Sequence, residues 1–220
     1  LQLDFMDQPK YLIPGLRLKR NDNKFCLETA DPKLKPQYVI LDTKLMVRRV
    51  WVEPSVAVGH ELGLKKRNAV YPIKTKEIVA FALSKDSSSF YKEQIFGDRQ
   101  LPNFILVTFQ SLAAFDGDYT EKGWVFSHFD VSNISLSRNT DYRETYIQNF
   151  ETGDYATSYT QSIIRNMGYL DKNMNCGITF ADFKDKYPFF TFVLSPDFDI
   201  YQSQLPRQGN LRLDIKFHKP

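Results

Sequence analysis

Seven residues near the C-terminal end, Leu211-Arg212-Leu213-Asp214-Ile215-Lys216-Phe217, alternate strictly between apolar and charged side chains. Only an extended strand sorts such a run onto two faces, because its side-chain period is two residues. A strand with one apolar face needs neighbouring strands and a second layer to cover it. The rest of the chain supplies material for both. Phe189-Phe190-Thr191-Phe192-Val193-Leu194 is apolar at nearly every position and reads as a buried strand ended by Ser195-Pro196-Asp197. Phe104-Ile105-Leu106-Val107 is apolar on both parities, which suits a central strand. Phe and Tyr are abundant, 18 and 12 residues, and aromatics fit pleated, half-buried surfaces. The 11 Pro and 10 Gly suit many short strands joined by turns.

At 25.7 kDa, a folded monomer keeps about 10,000 Å² of surface where its unfolded chain exposes roughly 37,000 Å². Such a chain buries a sizeable core. Its 29 Lys plus Arg against 26 Asp plus Glu give +3, too balanced to mark a nucleic-acid or membrane partner. Two Cys exclude a disulfide scaffold and favour a reducing compartment. No apolar run approaches the 18 or so residues of a membrane span, and the opening residues do not read as a signal peptide. Leu1 is not Met, and Leu1-Gln2-Leu3-Asp4-Phe5 already alternates like a strand, so the chain reads as a piece of something longer.

Along the chain, Leu16-Arg17-Leu18-Lys19 follows a turn at Pro14-Gly15, Asn21-Asp22-Asn23 is a turn cluster, and Phe25-Cys26-Leu27 resumes an apolar run, which together predict a hairpin. Residues 37–52 form the longest strand candidate. Val39, Leu41, Leu45, Val47 and Trp51 share one parity, and Asp42, Lys44 and Arg48 the other. Residues 54–67 change period: Pro54 suits a first helical turn, Val58 and Leu62 share a face, and Gly59 and Gly63 limit the helix to two or three turns. Pro72 closes it, Ile73 to Leu83 reads as a strand, and Lys85 to Ser89 as a loop. Asp116-Gly117-Asp118 is a turn, and Trp124 to Leu136 alternates loosely. Asp154 to Met167 is the best helix and is expected to be the longest. Tyr155, Tyr159, Ile163 and Met167 fall at steps of four, and Gly168 caps its end. The sum is an all-β antiparallel sandwich of about eight strands with one or two short helices in its loops. Composition does not choose between an immunoglobulin-like fold and a jelly roll. The Cys-Trp-Cys signature is absent, and Cys26 and Cys176 stand too far apart for one such domain.

Candidate chemistry is sparse. His60-Glu61 opens like a zinc-protease motif, but the second His would fall at Leu64; a His on a helix surface is the simpler account. Asp116-Gly117-Asp118 lacks the twelve-residue spacing of a calcium loop. Gly59 and Gly63 precede Lys65 without the Gly-Lys-Ser/Thr of a phosphate loop. His60, His128 and His218 lie in different elements, and no Gly-x-Ser-x-Gly elbow is present. Cys26 reads as a small core residue in a strand. Lys65-Lys66-Arg67 is the tightest basic cluster and reads as a solvated helix end, with contact to packaged nucleic acid or nuclear import as the sharper alternative. No catalytic residue, metal ligand or cofactor is expected.

Several blocks resemble a known family in collinear order. They are Val50-Trp51-Val52-Glu53-Pro54-Ser55-Val56 with Tyr71-Pro72-Ile73, Gln94-Ile95-Phe96-Gly97 with Gln100-Leu101-Pro102, and Ala114-Phe115-Asp116-Gly117-Asp118-Tyr119 with Phe126-Ser127-His128-Phe129. Gly209-Asn210 leading into Leu211–Phe217 continues the series. Leu3-Asp4-Phe5, Pro14-Gly15 and Asn23-Lys24-Phe25-Cys26-Leu27 open it. The order is similar to that in the capsid proteins of Maverick/Polinton elements and adintoviruses. Each block is moderately specific; their shared order is the stronger signal.

The resemblance implies a double jelly-roll major capsid protein whose trimers make pseudo-hexameric capsomers of an icosahedral shell. This chain has about half that length and resembles the C-terminal part, so residues 1–220 are expected to form a single jelly-roll domain. A trimmed segment and a domesticated capsid gene both fit. The implied partners are further copies in a homotrimer and minor capsid or penton proteins, with nucleic acid only as packaged genome and no small-molecule substrate. The implied location is the virion capsid, made in the host cytoplasm and assembled there or in the nucleus. The family has no catalytic residues to carry over. Expected subunit contacts are loop and end aromatics: Phe90, Tyr91, Tyr142, Tyr146, Phe150, Tyr155 and Tyr159. The competing account is that these rings cover the sandwich's own ends. A lectin-type binding module is the alternative function; a cupin-like enzyme would need clustered His and Glu, which three scattered His do not supply.

Overall fold

A computed structural model of the chain describes residues 2–6, 13–17, 21–31, 33–44, 46, 50–68, 76–96, 100–139, 142–170, 172–174, 176–194 and 208–218. Its strands are β1 (Gln2–Met6), β2 (Ile13–Arg17), β3 (Ser89–Lys92), β4 (Phe104–Val107), β5 (Val131–Arg138), β6 (Tyr142–Ile147), β7 (Phe190–Val193) and β8 (Leu211–Phe217). Every strand pair is antiparallel. β1 and β2 form a hairpin of their own. The remaining six build two sheets, one in the order β3-β8-β5-β6 and one of β4 and β7.

The pairing of these six is nested. β3 pairs with β8, β4 with β7, and β5 with β6, so the first strand meets the last and the innermost two form a hairpin. The pairs also alternate between sheets: the outer and inner pairs share one, and the middle pair makes the other. β8 then joins the outer pair to the inner one by its second edge on β5, where a register shift at Val131 and Asn133 marks a bulge.

One core lies between the sheets. Leu211, Leu213 and Ile215 of β8 are buried, as their alternation requires, with Ile134 and Leu136 of β5 and Tyr146 of β6. Ile105, Phe190 and Phe192 meet them from the other sheet. The Tyr146 ring stands edge-on to Phe192 at 5.1 Å, and Phe109 contacts both Phe190 and Phe217 at 6.4 and 5.7 Å. Such pairs add to plain burial because ring edges are positive and faces negative.

Helices decorate this frame. α1 (Asn23–Cys26) replaces the expected strand at Phe25 to Leu27. The Asn21-Asp22-Asn23 cluster serves as a helix cap, with the Asp22 side chain accepting from the Lys24 amide, rather than as a hairpin turn. Cys26 is accordingly exposed, not a core residue. Pro14 and Gly15 are paired inside β2 with Phe5 and Asp4, so they are not a turn. α2 (Pro54–Lys66) runs 13 residues, longer than two or three turns, with Pro54 in its first turn. α3 (Leu112–Asp116) ends at Gly117, whose φ of +84° favours glycine and where a Cβ would stand only 3.1 Å from the Phe25 amide nitrogen. α4 (Ala156–Tyr159) continues as a π-helical segment, Thr160–Arg165, marked by the five-residue bond from Asn166 N–H to the Gln161 carbonyl. Together they are shorter than α2, so the expected longest helix is not the longest. α5 (Phe180–Asp185) carries a full capping box between Thr179 and Asp182.

Other expected strands are absent among the described residues. Residues 37–44, 46 and 50–52 form no strand, and neither do 76–83. Residues 124–130 are loop, and only from Val131 does the run become a strand. β4 is not central but half of a two-stranded sheet. Leu18, Lys19, Leu45, Val47, Arg48, Tyr71, Pro72, Ile73, Gly97, Asn175, Ser195, Pro196 and Asp197 lie outside the described residues.

The core sets a test. Phe192→Ala is expected to cost about 3–5 kcal/mol of stability, because the ring is fully buried. Leu41→Ala, on an exposed side chain, is expected to change it by less than about 0.5 kcal/mol. Urea unfolding of the two variants at a concentration where the chain is monomeric checks the contrast.

Candidate interaction surface

The seven aromatics expected at subunit contacts fall into different environments. Phe90 is half-buried in β3 and lies 5.4 Å from the Phe81 ring. Tyr91, its neighbour, is exposed, with the Arg212 guanidinium 5.7 Å from its ring and Glu93 bonding that guanidinium at 2.9 Å. Tyr142 opens β6, and its side chain lies outside the described residues. Tyr146, Phe150 and Tyr155 are inside the core, where their partners are the chain's own rings. Tyr159 is half-buried; its hydroxyl donates to the Ile178 carbonyl at 2.9 Å and its ring meets Phe180 and Phe183. The steps of four from Tyr155 to Met167 describe the face that a helix turns to its own core. Of the six whose side chains are described, Tyr91 is the most exposed.

Around Tyr146 lies a buried polar cluster. Its hydroxyl donates to the Thr191 carbonyl, which also accepts from Asn166 Nδ2 at 2.6 Å. Thr191 returns two bonds to the π segment: its amide donates to Ser162 Oγ at 3.4 Å and its hydroxyl to the Ser162 carbonyl at 2.7 Å. Burial, and then the Glu144 carboxylate, hold the Tyr146 phenol far above its ordinary pKa. A phenol so placed stays protonated and works as a donor. The cluster closes the free edge of β7 with side chains.

His128 sits where four rings stack. Its imidazole lies 4.2 Å from Phe150, Phe150 lies 5.0 Å from Tyr155, and Tyr155 lies 4.3 Å from Phe180. The turn leading into β5 is strained, with Phe129 and Asp130 at φ of +44° and +55°. His128 Nδ1 accepts the Asp130 amide at 2.9 Å and so stabilises that turn. Burial lowers the His128 pKa; the Asp130 carboxylate opposes this, while Lys184 assists it and Asp185 opposes it. The arrangement favours a neutral ring.

A different surface carries the exposed apolar side chains. The Thr29 amide donates to the Tyr119 carbonyl at 2.8 Å, the Tyr119 hydroxyl to the Pro36 carbonyl at 3.3 Å, and the Tyr38 hydroxyl to Cys26 Sγ at 3.6 Å. Leu41 is 93% exposed and Trp51 97%, and Val39, Ile40, Val50 and Val52 are exposed beside them. α2 has no buried residue, although Val56, Val58, Leu62 and Leu64 are apolar on more than one side. His60 and the Lys65-Lys66 pair lie on this solvated helix. A helix apolar on several sides is ordinarily covered. The whole chain keeps 17,082 Å² of accessible surface, against about 10,000 Å² for a folded monomer of this mass, and part of the excess lies here. The apolar alternation of 39–51 signalled burial, and the expectation placed that burial inside the sandwich.

Among the described residues, no group of three or more His, Cys, Asp or Glu is placed to hold a metal, and no helix is long and apolar enough to cross a membrane. Comparison with family models, with curated proteins and with solved structures finds no match to this chain.

The His128 turn predicts a pH dependence. The unfolded chain takes a proton near pH 6.5, whereas the folded chain resists it. The stabilisation is therefore complete above about pH 6.5 and is lost as pH falls through the lowered folded pKa. Urea midpoints measured from pH 7.5 down to 5.0 should fall for the native sequence and fall less for His128→Asn, which keeps an acceptor and removes the titration.

Proposed function

We propose that this chain is a jelly-roll capsid subunit that assembles with further copies of itself through apolar surface outside its core. The observation that carries the reading is that Val39, Ile40, Leu41, Val50, Trp51 and Val52 are exposed, while the core formed by the described residues does not include them. A chain that worked alone would gain by covering or removing such side chains, since patches of this kind mark interaction sites.

Strand order supports the same reading. In a jelly roll a long hairpin wraps so that successive nested pairs fall in alternate sheets. The pairs β3·β8, β4·β7 and β5·β6 follow that rule, one pair short of the usual eight strands. In place of a further strand beside β7 stands the π segment with Ser162. The collinear blocks from Leu3 to Phe217 add the resemblance to Maverick/Polinton and adintovirus capsid proteins, and with it the trimeric, pseudo-hexameric capsomer, the penton and minor capsid partners, and the virion as its location.

The test is multi-angle light scattering over a range of concentrations, followed by electron microscopy of the largest species. Trimers, or shells built from them, are the expected result. A chain that remains monomeric at every concentration, and that is retained on immobilised sugars, would replace the capsid reading with a binding module.

A further inference from the structure

Several bonds converge on one strained turn. Phe129 and Asp130 both have positive φ, +44° and +55°, a region that residues with side chains seldom enter. Such a conformation persists only where its surroundings fix it. Three bonds do so here. The Asp130 amide donates to His128 Nδ1 at 2.9 Å, the Val131 amide to the His128 carbonyl at 3.0 Å, and the His218 amide to the Asp130 carbonyl at 2.9 Å.

The first of these bonds depends on a proton. A backbone amide only donates, so His128 Nδ1 is bare and the ring's proton sits on Nε2. A second proton would go to Nδ1, and a donor would then face a donor. The Asp130 carboxylate is placed to take the new N–H: its Oδ1 lies 3.8 Å from the same nitrogen, too long for a hydrogen bond and short enough to close with a small movement of the turn. His218 responds differently. Its Nε2 lies 3.2 Å from the Gln148 carbonyl, which only accepts, so Nε2 already carries the proton and a second one on Nδ1 leaves that bond intact.

The turn is joined to the end of β8 and to the residue after β6. His218 holds Asp130 through its amide and Gln148 through its ring. The buried Gln148 side chain in turn donates to the Val131 carbonyl at 3.3 Å and accepts from the Ser158 hydroxyl at 3.0 Å. The elements around the His128 ring carry Asp130 in the turn, Lys184 and Asp185 in α5, Glu151 and Asp154 in the loop of Phe150, and His218 after β8. Burial, the largest effect, and Lys184 oppose a charged imidazole; Asp130 and Asp185 favour it.

We propose that the 128–130 turn is an acid-operated latch: on taking a proton from water, His128 gives up the Asp130 amide and donates to the Asp130 carboxylate, the turn leaves its left-handed conformation, and the His218 end of β8 is released while both sheets stay paired. The latch does not rest on the assembly reading.

A pH titration of the native chain, from about pH 7.5 to about pH 4.5 and followed by NMR, tests it. The Asp130 and His218 amides are expected to shift together with the His128 ring, at one midpoint below about pH 6.5, while the Phe192 and Leu213 amides stay in place. Protection of the Asp130 amide against exchange, corrected for the intrinsic rate, should fall at least about fivefold, as the loss of one ordinary hydrogen bond requires. His128→Asn should abolish both shifts. Asp130→Asn keeps the amide and a residue tolerant of left-handed backbone, and without the carboxylate its midpoint should move to lower pH. His218→Gln should leave the shift at Asp130 unchanged. Turn amides that stay fixed while the His128 ring titrates overturn the latch, as does a ring that takes no proton in this range. Core amides that move with the turn overturn it too, since the change is then global. A shift at Asp130 that survives His128→Asn, or is lost in His218→Gln, overturns the assignment to His128. Should a variant fail to fold, the native titration decides.

Discussion

Strand β8 holds the larger sheet together. It lies between β3 and β5 and bonds to both, so residues 211–217 close the chain onto 89–92 and 131–138 at once. Remove it and β3 has no partner in that sheet, while the β5–β6 hairpin loses its neighbour. Its Leu211, Leu213 and Ile215 also carry the face on which Phe190 and Phe192 of the other sheet close the core. A contact across more than 120 residues costs closure entropy, though only logarithmically in loop length. The cost falls more heavily on rate: folding dominated by such distant pairings is slow. Strands whose partners arrive late stay open meanwhile, and the uncharged β4 and β7 are the least defended during that interval.

The second constraint is polar. β7 is buried along its whole length, so the edge it turns away from β4 cannot rely on water. A strand could satisfy it through backbone groups; here a π-helical segment does so with Ser162 and Asn166. A π turn spaces its side chains differently from an α turn, and π segments occur where such spacing is needed. The result fixes the helix against the sheet through one residue, Thr191, whose amide, carbonyl and hydroxyl are all engaged. An unpaired group at that depth costs about 1–3 kcal/mol, so alternative placements of the helix are penalised together.

How much of this was legible depends on whether a residue's partner lies in the pattern or outside it. β8 and β7 were readable to within a residue because their alternation or continuous apolarity states how many faces are buried. The helix at Pro54 was readable from its proline and its change of period. The short helix at Asn23 was not, because Asn and Asp serve caps and turns equally well and only the Asp22 to Lys24 bond separates them. Residues 39–51 show the deeper limit. Their alternation does demand burial, but sequence does not say against what, and the expectation of a strand inside the sandwich assumed a partner in the same subunit. Tyr146, Phe150 and Tyr155 show the converse: aromatics assigned to the surface because loops seemed to carry them are the core's own rings. Nothing in a single sequence marks Ser162 as the group that closes β7, since a serine on a helix usually faces water.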